Sequence, residues 1–482
     1  MAITVLRQPK YNFGPAGQDW LYSVQSTNAL QPKFKFIFDI RFHISTVPGP
    51  LDVRLRVSPG ALSIGNINIR EILEQHVSVD NHNNLQAPYP TFKGQSPSGM
   101  FLGLFSIHLI DKFATNTTSL IHFNVRVGEE YASSSTTPAA VYPDLHTFAE
   151  NSCFNGVVPN GGQAVDRATG QFGANVNDAN SFNQSVYGGP YVATNAGTSK
   201  FLTNGPTTQY IRDGDYGTFG ILAGYINGVA AKWDRVKFTF SNGTSVDRVA
   251  NSSNGGYDGS SATGIVNARF MLQYIGIGPA NNAIYSSWIN AYNASTSYVV
   301  ALYDNTTRTS REYTFIKQTD DCKGYETIRL CWLNRHGAWD YYNFTKKSFR
   351  EVDIERDTTT KDDVQYQIGL SRFNWNRNNR VYQTRAKEKI TCNSDWITDD
   401  EAIWLEELFT SPEVYILGKE NPYDGGSNLD EQEYGYLTPV IVSSSKYERY
   451  TSANDKVAQY ELELDVDSTI NVQKNQNFNL SF

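Results

Sequence analysis

Residues 33–44 read KFKFIFDIRFHI: Phe34, Phe36, Phe38, Ile40, Phe42 and Ile44 fall on one side, with Lys35, Asp39, Arg41 and His43 on the other. A period of two sustained over this length means a β-strand with one buried face and one face to solvent. Leu51, Val53, Leu55 and Val57 repeat the pattern with Asp52, Arg54 and Arg56 outward, and Ile121, Phe123, Val125 and Val127 do so again. Three matched strands make a sheet. Between them Ile69, Ile72 and Leu73 share one face of a short helix predicted over 68–75. Residues 1–130 therefore read as an N-terminal β-domain.

From 131 to 200 the composition turns to Ser, Thr, Gly, Asn, Ala and Pro with little periodicity, which predicts an irregular arm. Its scattered aromatics, among them Tyr142, Phe148, Phe154 and Tyr187, favour an arm ordered against neighbouring subunits. Patterned sequence resumes near Phe201, with Val236, Phe238 and Phe240 before an Asn242-Gly243 turn and a Gly/Ser-rich hairpin tip at 251–264. Strands at 298–303, 311–316, 328–332 and 339–344 complete a central β-sandwich over 201–360. Residues 361–482 form a C-terminal β-domain with strands at 364–368, 414–417, 440–442 and 460–466. Its helix, 399–409, is announced by a Thr398/Glu401 capping box, Asp399 and Asp400 in the first turn, and a stripe of Trp404, Leu405, Leu408 and Phe409. The fold class is mainly β: several sandwich or barrel modules, a long arm and one or two short helices.

Bulk properties exclude more than they name. Aromatics supply 13% of the 482 residues and charged residues only 19%, a balance that suits Tyr/Phe-rich strands. With 41 basic against 49 acidic residues the formal charge is −8, the wrong sign for a nucleic-acid binder. The apolar run 100–110 is about half the length of a bilayer span, so it reads as a core strand and no membrane insertion is expected. Residues 1–10 do not read as a signal peptide. The Asn-x-Ser/Thr triplets are therefore taken as chance. Cys153, Cys322, Cys331 and Cys392 are too dispersed for a disulfide framework or a paired zinc site; Cys322 and Cys331 are placed to meet across neighbouring strands, with reduced thiols the default.

Chemistry-bearing motifs are sparse. The tract 259–264 lacks nucleophile-elbow spacing, and the seven histidines show no HxH or HExxH pattern, so no catalytic residue, metal or cofactor is expected. Carboxylates brought together from distant strands, as in glycosidases, stay open. Asp213, Asp215, Asp320 and Asp321 read as solvated turns, and Asp424, Asn428 and Asp430 as an Asx-rich turn rather than a calcium loop. The segment 372–389 sets Arg372, Arg377, Arg380, Arg385, Lys387 and Lys389 among Phe373, Trp375 and Tyr382. Such interleaving suits single-stranded nucleic acid, but in a net acidic chain an exposed strand face or a protein contact fits better. The acid-faced strand bearing Glu461, Glu463 and Asp465 is the candidate counterpart on a neighbouring copy.

Several landmarks together resemble virion structural proteins of tailed bacteriophages, chiefly those of Bacteroidota and marine hosts. They are the 34–44 strand, LRVSPG at 55–60, the 69–74 helix, VGEEY at 127–131, FLTNGP at 201–206, and IRLCWLNRHG at 328–337 with DYYNF at 340–344. The resemblance implies a non-enzymatic tail or tail-tip component, in the distal tail, baseplate or fibre anchor, that assembles as a symmetric oligomer with copies of itself and other virion proteins. It implies residence in the virion after assembly in the host cytoplasm, and it brings no catalytic site. Trp332 and Trp339 bracket a turn at Arg335-His336-Gly337 that reads as a structural hairpin. Two other classes remain: an adhesin stacking Tyr210, Tyr216 or Trp288 on host-surface glycan, detected by binding to host cells, and a polysaccharide-degrading enzyme, detected by release of reducing ends.

Overall fold

In a computed structural model the chain is mainly β. The structure describes residues 3–9, 13–43, 51–78, 82–83, 105–110, 113–115, 119–157, 193, 197–223, 225–226, 229–250, 272–318, 325–360, 379–417, 437–444 and 457–466. The chain divides into two compact units: Met1–Thr319 with Leu333–Asp340, and Asp320–Trp332 with Tyr341–Phe482. The division falls inside the stretch expected to form a central sandwich.

The first unit opens with a three-stranded sheet, Ile3–Arg7, Leu21–Ser26 and Ile64–Asn68, and a six-stranded one. The larger sheet runs Phe13–Gly17, Asn151–Val157, Leu120–Tyr131, Lys35–His43 and Val53–Val57, with Ala140–Thr147 also paired to Leu120–Tyr131. Tyr22 and Val24 from the small sheet, with Trp20 just before its strand, share one core with Phe36, Phe38, Ile40, Phe123, Val125 and Val127 from the large one. The helix Arg70–His76 adds Leu73 to it.

Three expectations change here. Asp39 and His43, assigned to solvent by alternation, are buried. Their strand is interior to the sheet, and Arg54 from the next strand lies over Asp39 in a bidentate pair, both bonds 2.7 Å. The supposed arm contributes two strands, Ala140–Thr147 and Asn151–Val157. Neither alternates, because nearly every residue of the first is exposed and most of the second are buried, Cys153 and Phe154 in the core. Of the rest, 158–192 and 194–196 lie outside the described residues. Finally, the run 100–110 is no single strand: Phe105–Ser106 is extended, and Ile107–Leu109 turns into a 3-10 helix.

A second pair of sheets completes this unit. One runs Thr208–Ile211, Tyr313–Lys317, Ser297–Asp304, Arg235–Phe240 and Ser245–Val249, with Thr307–Arg308 paired to Ser297–Asp304. The other joins Thr218–Leu222, Leu272–Gly276 and Phe113–Thr115, so chain from the expected first domain is built into the later one. The expected Asn242-Gly243 turn links Arg235–Phe240 to Ser245–Val249, with Gly243 at φ +87°. The tight connection at Leu333–Asp340 belongs to this unit. Asn334 holds it by accepting from the His336 and Ala338 N–H groups and donating to the Leu202 carbonyl. Tyr274 donates to the Gly337 carbonyl and Thr203 to Asp340. Gly337 sits at φ +72°, where an added Cβ would lie 1.9 Å from the Asn155 carbonyl oxygen, so only glycine fits.

The second unit is organised by one seven-stranded sheet, in the order Trp339–Phe344, Ile328–Leu333, Val414–Leu417, Leu437–Val442, Glu461–Val466, Asn379–Asn393, Phe349–Thr360. The helix Asp399–Thr410 starts at the expected capping box, with the Thr398 hydroxyl accepting from the Glu401 N–H and the Glu401 carboxylate accepting from the Thr398 N–H. Trp404, Leu405 and Leu408 pack with Trp332, Ile390, Cys392, Leu462 and Leu464.

Candidate assembly surface

The last two strands of the second unit form a ribbon that outgrows its sheet. Phe349–Thr360 pairs antiparallel with Asn379–Asn393 along its whole length, from Phe349↔Thr391 to Thr360↔Asn379. The strand Glu461–Val466 meets Asn379–Asn393 only from Lys389 to Asn393. Beyond Lys389 the ribbon is two strands wide. Eleven of the twelve residues of Phe349–Thr360 are exposed and Asp357 is half-buried, so neither face of this strand is covered; in its partner, Ala386 is buried. At about 3.4 Å per residue the strand extends roughly 40 Å.

Opposed residues of an antiparallel pair share a face, so the register sorts the side chains. On one face Glu351, Asp353 and Glu355 stand opposite Lys389, Lys387 and Arg385, with Asp357 continuing the acidic row. Asp465 lies on the far side of Lys389, followed by Glu463 and Glu461. The basic row thus has the acidic row of Phe349–Thr360 on one side and Asp465 at its end on the other. Lys389 reaches Asp353 at 2.6 Å, Lys387 reaches Asp465 at 2.5 Å, and Arg385 stands 3.7 Å from Glu355 and 3.5 Å from Asp357. The bond to the Asp353 carboxylate holds the Lys389 ammonium above its usual pKa.

One contact between the basic segment and the acid-faced strand, Lys387 with Asp465, is made within the chain. Glu461 and Glu463 belong to the strand beside the basic one, opposite Asn393 and Thr391. Among residues whose side chains are described, seven carboxylates on this face, at 351, 353, 355, 357, 461, 463 and 465, outnumber three cations, at 385, 387 and 389. The face is acidic despite its basic stripe. Arg372 and Arg377 lie outside the described residues, and Arg380 is placed in the strand opposite Thr359.

The opposite face continues the core face outward. Ile390 is buried, and next along the ribbon come Val352 and Ile354, 48% and 49% exposed, beside Ala386. Arg350 secures the base, bonded to both Glu326 and Glu388 at 2.7 Å, and these carboxylates raise its pKa.

Elsewhere the structure gathers His43, His122, Glu150 and Ser152, a cluster the sequence did not single out because its members come from strands paired only in the fold. The His122 Nδ1 lies 2.6 Å from the Ser152 hydroxyl and 3.8 Å from Glu150, which stands 3.9 Å from the His43 Nδ1. A serine–histidine–acid relay needs hydroxyl and carboxylate on opposite ring nitrogens. Here both approach the same one, and burial with the neighbouring His43 lowers the His122 pKa to about 4.

Other sequence candidates also resolve. Asp213 lies in an exposed turn as expected, its side chain 73% exposed while accepting from the Tyr292 hydroxyl, whereas Asp215 is buried and accepts from the Arg212 N–H. Of the three aromatics considered for glycan stacking, Trp288 is enclosed by Phe238, Phe240, Tyr292 and Tyr298, Tyr216 is buried, and Tyr210 is exposed. Cys331 is buried; Cys322 lies outside the described residues, as do 251–264, 320–321, 364–368 and 424–430. Among the described residues no group of three or more His, Cys, Asp or Glu side chains is placed to hold a metal ion. Among them also, no helix is long and apolar enough to cross a membrane. No protein-family model matches the chain, and a search of curated proteins returns no match.

Proposed function

We propose that the chain is a non-enzymatic structural protein that works by joining other protein surfaces, and that it serves as a tail-associated component of a tailed-phage virion. The observation that carries the assembly reading is the ribbon Phe349–Thr360/Asn379–Asn393, exposed on both faces over most of its length. A two-stranded ribbon is marginal in water by itself, and this one carries apolar Val352, Ile354, Val381 and Tyr382 at its surface. A partner laid along it would bury them. The tail assignment rests on the sequence resemblance, with the β-rich fold compatible with it.

The test is a ribbon deletion. Replacing 351–389 with a two-residue Asn-Gly turn removes the exposed strands and keeps the base, joining Arg350 to its opposed residue Ile390. The trimmed chain is expected to keep its circular dichroism spectrum and lose association, read by light scattering and by incorporation into particles viewed with a labelled chain. Unchanged association overturns the reading. Deleting the whole of 131–200 would instead take Cys153 and Phe154 out of the core and so test folding as well as association.

A further inference from the structure

The outer edge of the ribbon is selective. Phe349–Thr360 ends the seven-stranded sheet, and no described strand pairs with its outer side. Alternate residues of such a strand turn their N–H and C=O groups outward, a ready template for another strand. Proteins usually guard long edges with proline, lysine or a short strand. This edge has twelve residues, FREVDIERDTTT, with neither proline nor lysine.

What guards it instead is charge. Glu351, Asp353, Glu355 and Asp357 line one face of the edge strand, and in any face-preserving antiparallel pairing of two such edges these carboxylates meet one another. Like charges directly opposite destabilise a strand pair. The edge therefore rejects the same edge of a second copy. The strand it does accept, on its inner side, is Asn379–Asn393, where Arg385, Lys387 and Lys389 meet the acidic row while Ala386 meets Ile354. That inner neighbour defines what the outer side fits: basic residues at every second position, with Ala386 between the first two of them and Glu388, which meets Arg350, between the last two.

We propose that the Phe349–Thr360 edge receives an extended segment of a different polypeptide, with Lys or Arg alternating with apolar residues, which adds an eighth strand to the sheet. The acidic row would then lie between two basic rows, and Val352 and Ile354 would gain an apolar neighbour. The proposal rests on the assembly reading and specifies its partner: backbone pairing supplies the attachment and the charge row the choice of partner.

The probe is a labelled, end-blocked peptide copying residues 381–391, VYQTRAKEKIT, added to the full-length chain. Binding is expected to be at least tenfold weaker for a scrambled peptide of the same composition and for one N-methylated at alternate residues. It is expected to be lost in the Asp353→Lys/Glu355→Lys chain, and amides of 349–360 should gain protection from hydrogen exchange when the native-sequence peptide is bound. Because those substitutions face Lys387 and Arg385, the milder Asp353→Asn/Glu355→Gln chain serves as a second variant, expected to bind several-fold more weakly. Equal binding of the scrambled or methylated peptide overturns the proposal, since it means unspecific charge attraction. So does absence of binding. Self-association is tested with Glu355→Cys in a Cys322→Ser background: disulfide-linked pairs formed through that site at native-like rates would make a second copy the occupant and also overturn it. Failure of the peptide leaves the assembly reading intact, because that reading falls only if the ribbon-deleted chain still associates.

Discussion

Asp39 occupies a position that alternation gives to solvent, yet its side chain is 4% exposed and meets Arg54 through two bonds of 2.7 Å. A carboxylate so enclosed depends on its partner, because removing one member of a buried pair leaves a desolvated charge. Arg54 is itself 30% exposed, which moderates the effect. Arg54→Ala is therefore expected to destabilise the chain by roughly 2–3 kcal/mol, measured by urea unfolding at neutral pH. An Asp39→Asn/Arg54→Met pair should recover part of that loss, since it removes both charges together. The sequence made the strand legible through Phe34, Phe36, Phe38 and Ile40; it did not make Asp39 legible, because the covering arginine comes from a separate strand.

At the scale of elements, local signals were read well and long-range ones were not. The helix Asp399–Thr410 was legible because a capping box, an acidic first turn and an apolar stripe coincide within one stretch of chain. Thr398→Ala removes the acceptor for the Glu401 N–H and should cost about 1 kcal/mol, seen as a lowered melting temperature with an unchanged sheet signal. The parallel pairing of Phe13–Gly17 with Asn151–Val157, and the pairing of Phe113–Thr115 with Leu272–Gly276, had no local mark. The ribbon was half legible. Its basic strand drew notice by charge, whereas Phe349–Thr360, exposed on nearly every residue and offering Val352 and Ile354 as a short apolar alternation, lacked the buried face by which strands are recognised. Its acidic row became meaningful only when the register set it beside Arg385, Lys387 and Lys389.

For the molecule as a whole, the first unit is the acid-sensitive one. Burial lowers the pKa of His108 to about 3 and of His336 to about 3, and burial beside His43 lowers that of His122 to about 4. All three stay neutral when folded but take up protons near pH 6.5 when unfolded, so the unfolded state binds more protons across the interval between. Their contribution is complete above about pH 6.5 and is lost progressively as pH falls toward 4 and then 3. Between pH 7 and pH 5 the loss is of order 2 kcal/mol per histidine. Hydrogen exchange at pH 5, corrected for intrinsic rates, should show protection falling in peptides of the first unit more than in Glu461–Val466 or Asp399–Thr410; equal losses would refute this assignment. The connection Leu333–Asp340 has a consequence in time as well as space. The carbonyl of Leu202 and the hydroxyls of Thr203 and Tyr274 take their partners from residues 334, 340 and 337, more than sixty positions later in the chain. On the ribosome, the first unit cannot close when residue 319 emerges; it waits for a segment that is translated only after the second unit has begun.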